Sequence, residues 1–254
     1  MKKNPFATPR IGEEVLPGVH LLGSRRVNFY VIEEGRALTL IDCGFDGHLR
    51  YLESWLARRG RRMSDVEAIL LTHGHADHVG FAERLRATGV PVYLDAADAP
   101  FAMRPEGRRP PQRLRRSLWR PSVLGLFGEA VLDGVFTQPL LKETRPLPRG
   151  APLDVPGQPL VVPVPAHSAG SVAFRFPARG ALFTGDALMT RDPMLGGPDR
   201  AIVFAEHTDQ NQSSLEALRH LTPYGDDALL PAHGDAWVQP GSVARAIQEA
   251  VIAA

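Results

Sequence analysis

The chain has 254 residues, a formal net charge of +1, and hydrophobic and charged fractions of 44% and 22%. That is globular composition, long enough for one large domain or two small ones, and its balanced charge gives no global field to select nucleic acid or a membrane surface. The one cysteine, Cys43, excludes an internal disulfide and fits a reducing compartment. Residues 1–10 hold two lysines and two prolines without an apolar run, so no secretory signal is expected. No stretch approaches the ~18–20 apolar residues of a membrane span. A soluble, cytoplasmic protein is the expectation.

In chain order, Val15–Leu22, Val27–Glu33 and Ala37–Ile41 are short apolar runs that read as hairpin strands. The turn Asp42-Cys43-Gly44 ends the third, and Cys43 reads there as a small core residue. Leu49, Leu52, Trp55 and Leu56 recur at helical spacing and stop before Gly60. Val66–Leu71 reads as a buried strand, and a helix is expected from Phe81 to about Ala87. Val90–Leu94 is a further strand.

Between the Val66 strand and that helix lies Thr72-His73-Gly74-His75-Ala76-Asp77-His78. A strand-to-helix loop is where α/β proteins carry their chemistry. Were the segment helical, His73 and Asp77 would share a face, as would His75 and His78. Were it extended, His73, His75 and Asp77 would point one way and His78 the other. Gly74 disfavours the helix. Either way, metal ligands converge from one short segment, and imidazole with carboxylate suits zinc, iron, manganese or cobalt.

Residues 96–149 read as a helical insertion. Seven arginines (104, 108, 109, 113, 115, 116 and 120) face one acid, Glu106, among four prolines. A solvated basic surface is the plain reading of such a run. The functional one is a lid in which Arg113, Arg115 and Arg116 attract an anionic substrate. Val123, Leu124, Phe127, Ala130 and Val131 then mark a helix whose apolar face suits a lid or a homodimer contact equally. Strands follow at Leu160–Val164, Val172–Phe176 and Ala181–Phe183, the last two as a hairpin. A helix at Ser213–Leu221, a strand at Ala228–Leu230 and a helix at Ser242–Ile252 complete the chain. The two halves echo each other faintly, too weakly to count as a sequence repeat.

Polar residues end several of these strands: His-x-His-x-Asp-His at 73–78, His167 before Ser-x-Gly-Ser, Thr-Gly-Asp at 184–186 and Pro-Ala-His-Gly at 231–234. Four motifs in this order, across about residues 15–250, resemble the metallo-β-lactamase superfamily. The resemblance implies an α/β (α+β) fold, a four-layer αββα metallo-β-lactamase sandwich, here as a single domain over 1–254 with the Arg-rich helical insertion at about 96–149. It implies that His73, His75 and His167 bind one metal, that Asp77, His78 and His233 bind a second, and that Asp186 bridges them. Asp42 would orient a ligand by hydrogen bond. The cofactor implied is two divalent ions, zinc first, with iron or manganese as alternatives.

Such an ion pair can hold a bridging hydroxide that attacks an electrophilic carbonyl or phosphorus, with Asp77 as the catalytic residue that orients it or shuttles its proton. No Gly-x-Ser-x-Gly elbow is present, and Ser168 and Ser171 have no evident base outside the metal set. His207 lies where the family often lines its substrate pocket. His20, His48 and His220 read as structural or exposed. Asp186 argues against antibiotic hydrolysis, His75 against the flavo-di-iron reductases, and Leu188-Met189-Thr190 against the quorum-signal lactonases. What remains is the glyoxalase-II-like group, and the expected function is hydrolysis of a small ester, thioester or lactone, with an anionic substrate favoured by the arginines. A mononuclear iron persulfide dioxygenase and a phosphodiesterase on the same scaffold are the alternatives. The expected partner is a small molecule, with neither nucleic acid nor membrane.

Overall fold

A computed structural model describes residues 5–104, 119–193, 200–202 and 211–253. The first sheet runs in sequence order: β1 (Pro9–Leu16), β2 (Val19–Ser24), β3 (Asn28–Glu34), β4 (Ala37–Ile41), β5 (Val66–Leu70) and β6 (Val92–Tyr93). Its first four strands are antiparallel neighbours joined by tight turns, and β4, β5 and β6 are mutually parallel. The apolar run expected as one strand at Val15–Leu22 crosses a hairpin turn. Gly18 takes a left-handed φ of 69° there, which a side chain would resist. Parallel strands need crossovers. Helix α1 (Leu49–Arg58) supplies the first, and the short α2 (Ala76–Val79) and α3 (Ala82–Arg86) supply the second.

Helices α4 (Ala99–Ala102) and α5 (Pro121–Leu132) lie within the expected insertion. The second sheet holds β7 (Leu160–Pro163), β8 (Val172–Phe176), β9 (Ala181–Gly185) and β10 (Ala228–Pro231), in the spatial order β10-β9-β8-β7. Only β9 and β10 are parallel, joined through a crossover that contains α6 (Asn211–Ala217). Helix α7 (Ser242–Ala253) closes the described chain. Among the described residues no helix is long and apolar enough to cross a membrane.

Period-two alternation sorts the strand residues into layers. Phe29, Val31, Leu38 and Leu40 pack against Leu52, Trp55, Leu56 and Leu85 of the helices outside the first sheet. Their neighbours Tyr30, Ile32 and Ile41 turn inward and meet Phe174, Phe176, Phe183 and Leu230 of the second sheet. On that sheet's outer face, Ala173, Leu182 and Leu229 meet Leu218, Leu221, Val243 and Ala246. The order is therefore helix, sheet, sheet, helix. Each large apolar side chain buried between the sheets contributes ~1.5–3 kcal/mol, and the edge-on contact of Phe183 with Tyr30, at 5.0 Å, joins the two inner faces, while Phe176 packs edge-on against Phe183 within the second sheet at 5.3 Å.

Each sheet has a parallel pair, and ligand-bearing residues cluster beyond the carboxyl ends of such strands. Asp42 follows β4, His73 follows β5, Asp186 follows β9 and His233 follows β10. Backbone bonds tie the sheets there: Val172 N–H donates to Thr72 C=O at 2.9 Å, and Asn28 N–H to Ala232 C=O at 2.8 Å.

Candidate metal centre

Two strands end in left-handed residues that swing the next side chains into the site. Asp42 has φ 58°, a conformation that costs a non-glycine residue energy and is tolerated best by Asp and Asn. Gly185, with φ 55°, would place a Cβ only 2.6 Å from Thr72 Oγ1, so glycine is required between Thr184 and Asp186.

The 73–78 segment is neither all helix nor extended. His73 and His75 sit in a loop and the chain enters α2 at Ala76, so the cluster divides. Ligand atoms of His73, His75, His167 and Asp186 lie within 4.8 Å of one another, and those of Asp77, His78 and His233 do likewise. In the first group His75 Nδ1 is 2.9 Å from His73 Nε2 and 2.8 Å from His167 Nε2. Asp186 touches both groups: Oδ2 is 3.4 Å from His167 Nε2, while Oδ1 is 3.4 Å from His78 Nε2 and 3.1 Å from His233 Nε2. Asp77 flanks the second group, 3.8 Å from His78 Nε2 and 3.6 Å from His233 Nε2, with its side chain 26% exposed.

Two of these rings, His78 and His233, are held from behind at the far nitrogen. His78 Nδ1 donates to Asp42 Oδ2 at 2.9 Å, and His233 Nδ1 donates to the Arg26 carbonyl. Each bond leaves Nε2 to face the centre. Asp42 also accepts from Thr72 N–H and Thr72 Oγ–H, both at 2.8 Å. Asn28 Nδ2 donates to the carbonyls of Pro231 and Gly234, at 2.9 and 2.7 Å, and Tyr30 O–H donates to Pro231 C=O at 2.7 Å. These bonds fix the His233 loop.

Charge divides the two groups further. Burial, then the neighbouring histidines His78, His75 and His167, hold His73 well below the usual imidazole range, so it is neutral with a free lone pair. Burial also opposes charge on His78, but Asp186, Asp42 and Asp77 override it and raise its pKa to about 10. Burial opposes and Asp186 raises His233 as well. Asp186 is held well below the carboxylate range against its burial by His233, His78 and His167. The field at His78 thus calls for positive charge, which a divalent cation supplies in place of a proton. Buried His78 Nε2 makes no hydrogen bond, and such an atom is costly unless something binds it. Among the described residues no lysine or arginine pairs with Asp42, Asp77 or Asp186. The donor set therefore fits metal binding.

A third buried group, His48, Glu129 and Asp133, is equally compact, yet it does not fit a metal. Arg50 Nη1 lies 2.6 Å from Asp133 Oδ1, and Arg26 Nη1 lies 3.2 Å from Glu129 Oε2. Phe45 N–H donates to His48 Nδ1 at 3.3 Å, and His48 Nε2 faces Asp133 Oδ2 at 3.4 Å. His48 is thus structural, as is His20, whose Nε2 meets Glu33 Oε2 at 2.7 Å against the Trp55 ring.

Seven expected ligands and Asp42 come together; Arg113, Arg115, Arg116 and His207 lie outside the described residues. Cys43 is fully buried, and burial raises its thiol pKa, consistent with a core role. One expectation changes: Ser168 Oγ has a carboxylate neighbour, donating to Asp98 Oδ2 at 2.6 Å. No imidazole joins the pair, so it is not a nucleophile–base couple. Asp98 carried no sequence signal, because its partners are 24 to 72 residues away.

Histidines and aspartates in two groups at one edge of a four-layer sandwich define a class of metal-dependent proteins. Residues 22–233 match the family model described as "Metallo-beta-lactamase superfamily", and the chain belongs to that superfamily. Similar proteins include the "Probable metallo-hydrolase YflN" of Bacillus subtilis, 26% identical over 88% of this chain and 86% of that one. "Hydroxyacylglutathione hydrolase" of Cereibacter sphaeroides is 35% identical over 53% of this chain and 37% of that one. Among solved structures, the metallo-beta-lactamase family protein TTHA1429 of Thermus thermophilus aligns with TM-score 0.64 and 25% identity, covering 92% and 78% of the two chains. TTHA1623 "in a di-iron-bound form" aligns with TM-score 0.59 and 27% identity over 89% and 96%.

Proposed function

We propose that this chain is a binuclear metal-dependent hydrolase of a small ester, thioester or lactone. The observation that carries the reading is the position of Asp186, whose two oxygens face the two histidine groups separately. His73, His75 and His167 would hold one ion, and Asp77, His78 and His233 the other. Ions held there supply an activated water and polarise a carbonyl oxygen. The remaining work falls to the chain. Asp42 and the Arg26 carbonyl hold His78 and His233 in one tautomer. Asp77, the most exposed carboxylate of the set, is placed to orient the attacking water and to take its proton. Burial of His73, His78, His167, Asp186 and His233 keeps bulk water from competing for them.

The hydroxyacylglutathione hydrolase likeness favours a thioester within this class. The Arg113, Arg115 and Arg116 run favours an anionic one. Zinc suits the donor set first; iron is the second choice, since a similar solved chain is described in a di-iron-bound form. The test is a panel of thioesters, lactones, phosphodiesters and β-lactams on zinc-loaded and iron-loaded protein. Turnover of thioesters or lactones above the other classes supports the reading. Turnover confined to phosphodiesters, or oxygen uptake by the iron form, defeats it.

A further inference from the structure

Asp98 precedes α4 and is 4% exposed. An aspartate at that position ordinarily accepts a backbone N–H of its own helix. Here its side chain makes no such cap. Both oxygens are used elsewhere. Oδ2 accepts from Gly74 N–H at 2.9 Å and from Ser168 Oγ–H at 2.6 Å, and Oδ1 accepts from Gly170 N–H at 2.8 Å. Gly74 stands between His73 and His75, and Gly170 lies three residues after His167. One carboxylate therefore joins the loop after β5 to the loop after β7, which belong to different sheets. Both glycines are shaped to this contact. A Cβ on Gly74 would lie 2.9 Å from the Asp98 carbonyl oxygen, and one on Gly170 would lie 2.7 Å from Asp98 Oδ1.

The geometry points to Asp98 as a positioning residue that sets the separation of His73 and His75 from His167, and so the fit of the first ion more than the second. The inference rests on the binuclear reading for its link to metal. The second group is held by other bonds, from Asp42 and the Arg26 carbonyl, so the first pocket takes the larger share of any change at Asp98. Charge-assisted bonds from backbone N–H groups are the strong kind. An amide at this position turns an N–H towards one of the two loops, and that loop loses its acceptor.

The experiment compares Asp98→Asn, Asp98→Ala and Ser168→Ala with the parent chain. It measures stepwise zinc affinity by chelator competition, and amide exchange of the metal-free proteins over residues 72–76 and 166–171. Loss of a partner that orients metal ligands typically costs ~10–100-fold in affinity. The expected result for both Asp98 variants is a loss of that size for one ion and a smaller loss for the other, because Asp98 holds one ligand pocket directly and reaches the second only through the shared Asp186. Exchange should quicken in the two loops together and stay slow in β2 and β3. Ser168→Ala keeps both backbone bonds and should bind both ions more nearly as the parent does than either Asp98 variant. Equal weakening of both ions, or unchanged exchange in the two loops, overturns the proposal. If the parent chain binds no second ion, the binuclear reading fails, and the loop exchange still decides whether Asp98 is the clamp.

Discussion

Two regions of this molecule bury histidines with carboxylates at metal-binding distances, and only one has the chemistry of a metal site. Around Asp186, His78 and His233 present nitrogens whose other ring nitrogen is fixed from behind, and no cationic side chain among the described residues meets the carboxylates. Around His48 the same residue types are already neutralised. Asp133 is held below the carboxylate range, against its burial, by bonds to His48 and Arg50, while burial raises Glu129. Proximity of ligand types is thus a weak criterion. The source of countercharge separates a binding site from a buried ion-pair network. The network around His48 instead fastens α5, within the insertion, to the start of α1.

The largest test of this contrast removes the shared ligand. Asp186→Ala should abolish tight binding of at least one ion and cut kcat/KM by more than the ~10–100-fold that losing a supporting partner costs. Measured metal content and turnover within threefold of the parent would break the comparison at its first term. Asp77→Asn is next. It keeps an acceptor oxygen and loses the charge, so most of kcat should go while circular dichroism and Tm hold. Near-normal hydrolysis would remove Asp77 from the chemistry.

Asp133→Asn should act in the opposite way. Breaking a buried pair costs ~3–5 kcal/mol, and Arg50 is partly exposed, so the lower end is expected, read as a fall in denaturant midpoint with metal content unchanged. Since His48 and Arg50 depress the Asp133 pKa, its contribution is present at neutral pH and lost as pH falls below the ordinary carboxylate range; acid titration of the variant should lack that component. The smallest effect concerns the arginines. Neutralising Arg113, Arg115 and Arg116 together should raise KM for anionic substrates a few-fold and leave kcat alone, and added salt should mimic it. Equal responses of neutral and anionic substrates would reduce the run to plain surface.

Much of this site was legible in the sequence because its ligands end strands in short motifs. His73, His75, Asp77 and His78 fall within six residues, and His167, Asp186 and His233 each stand in a recognisable turn. The strands were legible as short apolar runs, and the four-layer order followed from the family resemblance rather than from the runs themselves. What escaped was set by tertiary contact. Asp98 has no local pattern, since its role comes from two loops brought to it by folding. The division of the 73–78 segment depends on the chain entering α2 at Ala76. The β1–β2 turn was hidden because Val15–Leu22 is apolar on both sides of Pro17-Gly18, and periodicity alone does not mark a turn inside such a run.

The most direct test counts ions. The parent chain and Asp133→Asn, loaded with zinc and freed of excess, should each retain two metal ions per chain by elemental analysis, and Asp186→Ala fewer. One ion or none in the loaded parent, or a third that disappears in Asp133→Asn, would contradict the account.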